Sequence, residues 1–281
     1  MLSSTSFVVA CRVMQLRARL WFALESLEGD AMSGSNDELA QQMIGLLELT
    51  SMHRDDTPER IIALCQRGLT PFGPVAAVCV LPQFVGLARR TLDREQAHGI
   101  SVVAAVNFPG GTGSARSVES ETRSALMAGA DEIDLVYPFR MQMAGGECVG
   151  TEVIVACRDA CHGHARLTVT LETGVLSDPQ VIHDVCRHVI AFGPAFIKTS
   201  TGKAIVNATP QASRIMIEAI AEAGGQVGLK PFGGIRTLAE ANVYLEMART
   251  RFGALWLQPD RLRIGATSLL DDVLLHLGLW E

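Results

Sequence analysis

Short apolar runs, rich in β-branched residues, alternate along the chain with segments whose apolar positions recur every three or four residues. The runs are 46–50, 75–81, 100–108, 132–137, 167–173, 195–200 and 227–232. Their length and composition predict strands, and their near-continuous apolar character predicts strands covered on both faces. An eighth strand is expected between 254 and 265, where the pattern is weakest. The intervening segments carry helix-start signals. Thr57-Pro58-Glu59, Asp178-Pro179 and Thr209-Pro210 each place a capping side chain before a proline suited to the first helical turn. Behind them, Ile61, Leu64 and Cys65, then Val181, Ile182, Val185, Cys186, Val189 and Ile190, then Ile215, Met216, Ala219 and Ile220 form apolar stripes. Gly224 stops the third helix, Thr237 caps a fourth, and Ser268 starts a last one that ends near Gly278.

Repeated strand–helix units imply a parallel sheet covered by helices. Seven clear units and a weak eighth over residues 36–281 match the length of a single-domain (β/α)8 TIM barrel, roughly 250 residues. An open doubly wound sheet would carry a G-x-G-x-x-G turn after the first strand. The residues after Thr50 read Ser-Met-His-Arg-Asp-Asp, so that turn is missing. Residues 1–35 differ from the rest. The first 24 contain no acid but include Arg12, Arg17 and Arg19. They read as a poorly ordered N-terminal extension, with Met32 as an alternative start, rather than as a targeting peptide.

Composition narrows the function classes. The chain of 281 residues is 48% hydrophobic and 19% charged, which excludes a wholly disordered protein. Its net charge of −6 argues against a nucleic-acid or anionic-membrane partner. No apolar run approaches the ~18 residues of a membrane span. Seven cysteines, mostly within apolar patterns, make a disulfide framework improbable and point to a reducing, cytoplasmic compartment. Cys157, Cys161, His162 and His164 are the one cluster worth testing for metal. No second Cys pair at zinc spacing supports them, so neither a metal nor a cofactor is expected.

Charge inside the strands carries the chemistry. Asp134 is flanked by Ile133 and Leu135, Lys198 lies in Ala-Phe-Ile-Lys-Thr, and Lys230 lies in Val-Gly-Leu-Lys-Pro. A lone charge buried there costs several kcal/mol. Three become tolerable if they converge at the barrel mouth, where such enzymes place their active sites. A lysine attacks a carbonyl only when unprotonated, and burial or a second cation lowers its pKa. A nearby acid then shuttles protons as the adduct becomes an imine. The same residues would also serve as a structural buried ion pair. Two glycine loops enter helices after the seventh and eighth strands, Lys230-Pro-Phe-Gly233-Gly234-Ile-Arg236-Thr237 and Gly265-Ala-Thr267-Ser268. Their positions suit a phosphate site, to which Lys203 adds a point charge; ordinary turn and capping roles would explain them equally. Gly202-Lys203 fails as a P-loop because Ala204 replaces the Ser/Thr and Ile197 the first glycine. His53 is expected in an exposed loop.

The strings Phe196-Ile-Lys-Thr-Ser-Thr-Gly-Lys203, Ala130-Asp-Glu-Ile-Asp134 and Gly228-Leu-Lys-Pro-Phe-Gly-Gly-Ile-Arg-Thr237 resemble the deoxyribose-phosphate aldolases. Weaker matches are Leu171-Glu-Thr-Gly174, Val106-Asn-Phe-Pro109, Val78-Cys-Val-Leu-Pro82 and Gly265-Ala-Thr-Ser-Leu269. The resemblance implies a metal-independent class I aldolase. It would reversibly cleave 2-deoxy-D-ribose 5-phosphate to acetaldehyde and D-glyceraldehyde 3-phosphate. It makes Lys198 the Schiff-base lysine, Lys230 the cation that lowers its pKa, and Asp134 the proton relay. It places phosphate against Gly202, Lys203, Gly233, Gly234, Thr267 and Ser268. The implied partner is a phosphorylated sugar, and a homodimer or homotetramer is compatible with the barrel. Three features depart from the family. Glu48 stands where Asp is frequent, Phe232 stands where a small residue is frequent, and the chain lacks a tyrosine-bearing tail. A related aldolase with another aldehyde acceptor and a non-catalytic sugar-phosphate binder are the competing expectations.

Overall fold

The structure is a computed structural model that describes residues 36–145 and 147–279. The extension expected over 1–35 therefore lies outside the described residues. Eight parallel strands form the barrel: β1 Leu47–Ser51, β2 Ala77–Val80, β3 Ser101–Val106, β4 Glu132–Val136, β5 Arg166–Thr170, β6 Phe196–Lys198, β7 Gly228–Lys230 and β8 Ile264–Gly265. The sheet runs in chain order, and β8 returns to pair with β1 at Leu47↔Ile264 and Glu48↔Gly265. Two single bridges, Leu229↔Leu262 and Phe232↔Gly265, close the ring between β7 and β8. This is the (β/α)8 barrel expected from the alternating pattern.

Eight helices follow the eight strands: α1 Pro58–Arg67, α2 Val85–Arg94, α3 Ala115–Met127, α4 Glu147–Cys161, α5 Pro179–Ile190, α6 Pro210–Glu222, α7 Leu238–Phe252 and α8 Leu269–His276. The predicted starts are met. Thr57, Asp178, Thr209 and Thr237 each accept a hydrogen bond from a backbone N–H of the first turn, and Thr237 forms a full capping box with Glu240. Each such cap contributes about 1 kcal/mol. Ser268 starts α8 without a side-chain cap.

The strands are shorter than the apolar runs that predict them. With both faces of a parallel sheet buried, hydrophobicity continues past the last ladder bond. After Lys198, for example, the Oγ atoms of Thr199 and Ser200 donate to the carbonyl of Phe232. Side-chain alternation divides the interior. Leu47, Leu49, Val78, Ile133, Leu135, Val169, Ile197 and Leu229 join one core between sheet and helices. Ala77, Cys79, Val103, Ala105, Met52 and Phe232 form a second, smaller cluster. Other alternate positions carry the buried charges Glu48, Glu132, Asp134, Lys198 and Lys230, with Thr168, Thr170 and Phe196 among them.

Candidate active site

The ends of three strands and the middle of a fourth bring the charges together. Lys198 closes β6, Lys230 closes β7 and Thr170 closes β5, while Asp134 is the third residue of β4. The Lys198 Nζ lies 2.5 Å from Asp134 Oδ2, and Thr170 Oγ1 donates to Asp134 Oδ1 at 2.5 Å. Deeper, Lys230 Nζ donates to Glu48 Oε2 at 2.7 Å and stands 3.6 Å from Glu132 Oε2. Arg263, just before β8, grips Glu132 through two bonds of 2.9 and 2.7 Å and reaches Glu48 at 3.4 Å. The ring of Phe196 lies under this group, 4.6 Å from Lys230 Nζ and 5.1 Å from the Arg263 guanidinium carbon. The barrel interior thus matches the acids Glu48, Glu132 and Asp134 with Lys198, Lys230 and Arg263.

Those pairings set the protonation states. Burial disfavours the Glu48 carboxylate, but Lys230, Lys198 and Arg263 outweigh it and hold its pKa down at about 2. Glu132 is lowered for the same reason, with burial opposing Lys230 and Arg263. Burial also works against the Lys198 ammonium, yet Asp134, Cys79 and Glu48 prevail and its pKa is raised. In this arrangement Lys198 is an ammonium. Sequence reasoning expected burial and a second cation to lower its pKa; Glu48 and Glu132 instead engage the Lys230 charge. Burial pushes Cys79 well up, so its thiol stays neutral beside the lysine.

All six residues expected to hold phosphate line one cleft of about 870 Å³ at the C-terminal strand ends. Gly202, Gly233 and Gly234 have φ of +77°, +86° and +84°, which glycine adopts at little cost. Lys203 and Arg236 add positive charge to the walls, while Arg60 and Arg67 are paired there with Asp55 and Asp271. Thr267 contributes differently from the expectation. Its hydroxyl accepts from Thr50 N–H and donates to Thr50 C=O, both at 2.9 Å, so it clamps the end of β1. His53 is exposed, as expected, and sits on the rim.

Sequence reasoning missed Glu132, Arg263, Thr170 and Glu172. Glu132 is two residues from Asp134 on one strand, so it shares the inward face; that spacing was a usable signal. Arg263 lies where the strand pattern was weakest. Glu172, in left-handed backbone after β5, accepts from the Thr201 N–H and hydroxyl, and burial raises its pKa. The Cys157 cluster does not converge on a metal site. Cys157 Sγ lies 3.4 Å from Thr122 Oγ1, and His162 Nε2 faces Arg123. Among the described residues the one metal-compatible group is Glu48, Cys79 and Asp134. Both of its carboxylates are already paired with lysines, which makes it a poor fit. No helix among the described residues is long and apolar enough to cross a membrane.

A sequence model of the DeoC/LacD family aldolases matches residues 43–273. Two crystal structures of a "putative deoxyribose-phosphate aldolase" from Toxoplasma gondii ME49 resemble the chain. One, at 25% identity and TM-score 0.81, covers 89% of this chain and 97% of its own. The other, at 26% and 0.80, covers 88% and 99%. A deoxyribose phosphate aldolase from Aeropyrum pernix, described as a unique tetramer, matches at 23% identity and TM-score 0.67 over 87% and 93% of the two chains; at that distance it shows the fold alone.

Proposed function

The chain belongs to the DeoC/LacD family of aldolases, and from that premise we propose that it is a class I deoxyribose-phosphate aldolase with Lys198 as its imine-forming residue. The observation that carries this reading is the Lys198–Asp134 pair near the mouth of the barrel, beside a glycine-lined cleft that holds Lys203 and Arg236. Asp134 Oδ2 is placed to take a proton from the ammonium, which frees the lone pair for attack on the substrate carbonyl. The same proton then leaves with the carbinolamine hydroxyl as water, giving the iminium. That cation draws electrons from the bond between the α and β carbons of the substrate. Asp134, again a carboxylate, takes the β-hydroxyl proton as that bond breaks, which releases D-glyceraldehyde 3-phosphate and leaves an enamine on Lys198. Protonation and hydrolysis return acetaldehyde and the free amine. Lys230, held by Glu48 and Glu132, supports the charge balance around Lys198. Gly202, Lys203, Gly233, Gly234 and Ser268 hold the phosphate through backbone N–H groups and the lysine charge, and Thr267 shapes their loop.

The chain makes the test unusually clean. Its three lysines are Lys198, Lys203 and Lys230. Incubation with acetaldehyde and borohydride, followed by peptide mass spectrometry, is expected to give a two-carbon adduct on Lys198. No adduct on folded protein from neutral to mildly alkaline pH would overturn the reading, and an adduct on Lys230 alone would reverse the two lysine roles.

A further inference from the structure

The cleft and the lysine do not meet. Phe232 lines the cleft; Lys198 and Asp134 do not. Lys198 is 1% exposed, although a carbonyl compound has to reach its amine. What stands between them is the Phe232 ring, whose centroid is 4.0 Å from Lys198 Nζ. The ring is held at both edges by missing side chains. A Cβ on Gly202 would lie 2.6 Å from Cε1 on one edge, and a Cβ on Gly265 would lie 2.1 Å from Cδ2 on the other. The slab therefore spans the barrel mouth from the loop after β6 to β8, with a face toward the amine.

The backbone beneath the ring is fixed. Phe232 N–H donates to Thr199 Oγ1 at 2.9 Å, and its carbonyl accepts from Ser200 Oγ at 2.5 Å and from Ala208 N–H at 3.1 Å. Movement is left to the side chain, which has the open cleft on its outer side. We propose that the Phe232 ring is a plug that separates the anion cleft from Lys198 and selects substrates by making any molecule bridging the two displace it. The bridging substrate is a sugar phosphate, with its phosphate in the cleft and its carbonyl at the amine. That substrate class rests on the aldolase reading; the position of the ring does not.

Competitive acetylation tests the plug without any aldol chemistry. Folded protein receives brief pulses of acetic anhydride, and the ratio of acetylation at Lys198 to that at Lys203 is read by peptide mass spectrometry. Phe232→Ala is expected to raise the ratio at least tenfold at every pH across the alkaline range. Phe232→Leu, which keeps more of the apolar packing and guards against loss of fold, is expected to fall between. An unchanged ratio in both variants would overturn the plug. So would a rate profile merely displaced along the pH axis with the same plateau, because the ring would then act on the charge of Lys198 alone. Acetaldehyde trapping on the same proteins separates the two proposals. An open, acetylated Lys198 that never traps acetaldehyde sinks the aldolase reading and leaves the plug standing. Normal trapping with an unchanged acetylation ratio does the reverse.

Discussion

Glu48 shows how one side chain sets the electrical state of the barrel. It is wholly buried, and its Oε2 accepts from both Lys230 and Arg263. Its carboxyl titrates near 2 in the fold against 4.5 for a free side chain. A carboxyl with a lowered folded pKa adds stability that is present above the unfolded pKa and fades as pH falls through the folded one. Glu48 thus contributes roughly 3 kcal/mol above about pH 5, lost progressively toward pH 2. Glu48→Gln is expected to cost about 3–5 kcal/mol near neutral pH, because Lys230 and Arg263 lose a buried partner. It should also flatten the acid limb of stability. Urea unfolding from pH 3 to 7 measures both effects; an acid limb as steep as in the parent would show that Glu48 is not its source. Lys198 acts in the opposite direction. Its raised pKa adds stability that is complete below its ordinary value and is lost only as pH rises through the folded one.

At the scale of elements, the short strands β6, β7 and β8 do most to shape the site. Each ends at a residue of the candidate site or its rim: Lys198, Lys230 and Gly265. Pro231 follows Lys230, and the Pro231 carbonyl accepts from Gly265 N–H at 3.0 Å, so β8 is tied to the turn that carries Phe232. The Gly265–Phe232 packing is accordingly a contact between elements. The three atoms nearest a methyl group at 265 are ring atoms of Phe232: Cδ2 at 2.1 Å, Cε2 at 3.0 Å and Cγ at 3.2 Å. Gly265→Ala is therefore expected to destabilise by about 1–3 kcal/mol through overpacking. Phe232→Ala in the same chain should relieve most of that. A double-mutant cycle in urea reads the coupling; simple additivity would mean that the two do not share the slot.

At the scale of the molecule, the ring is closed by little hydrogen bonding. β8 has two ladder partners on β1, and two single bridges join the other side. Side chains finish the closure: Arg263 on Glu132 across the interior, and the Thr267 clamp on Thr50. The cleft sits on this last seam, between loops from β1, β6, β7 and β8. A bound anion would bridge the seam and stabilise the whole barrel by mass action. Inorganic phosphate at about ten times its Kd is expected to add about 1.4 kcal/mol, or roughly 3–5 °C in Tm for a domain of this size. Lys203→Ala should weaken the effect. An equal rise with chloride at matched ionic strength would mean that the cleft does not hold phosphate.

The sequence by itself determined the alternation of strands and helices, the capped starts of α1, α5, α6 and α7, and the presence of charge inside apolar strands. These are local signals: a capping side chain acts within one turn, and a β-branched run declares itself over a few residues. It also singled out Asp134, Lys198 and Lys230 as buried charges that need partners, because isolated buried charges are too costly to stand alone. Only the tertiary structure decided which charge faces which. Arg263 meets Glu132 across 131 residues of chain, and Lys230 meets Glu48 across 182. No local pattern encodes such pairings; ring closure does. The same holds for Phe232. In the sequence it is one apolar residue before two glycines. Only when β6 and β8 come round to flank it does its ring stand over Lys198, because the slot that holds it is made of gaps at Gly202 and Gly265, on separate elements.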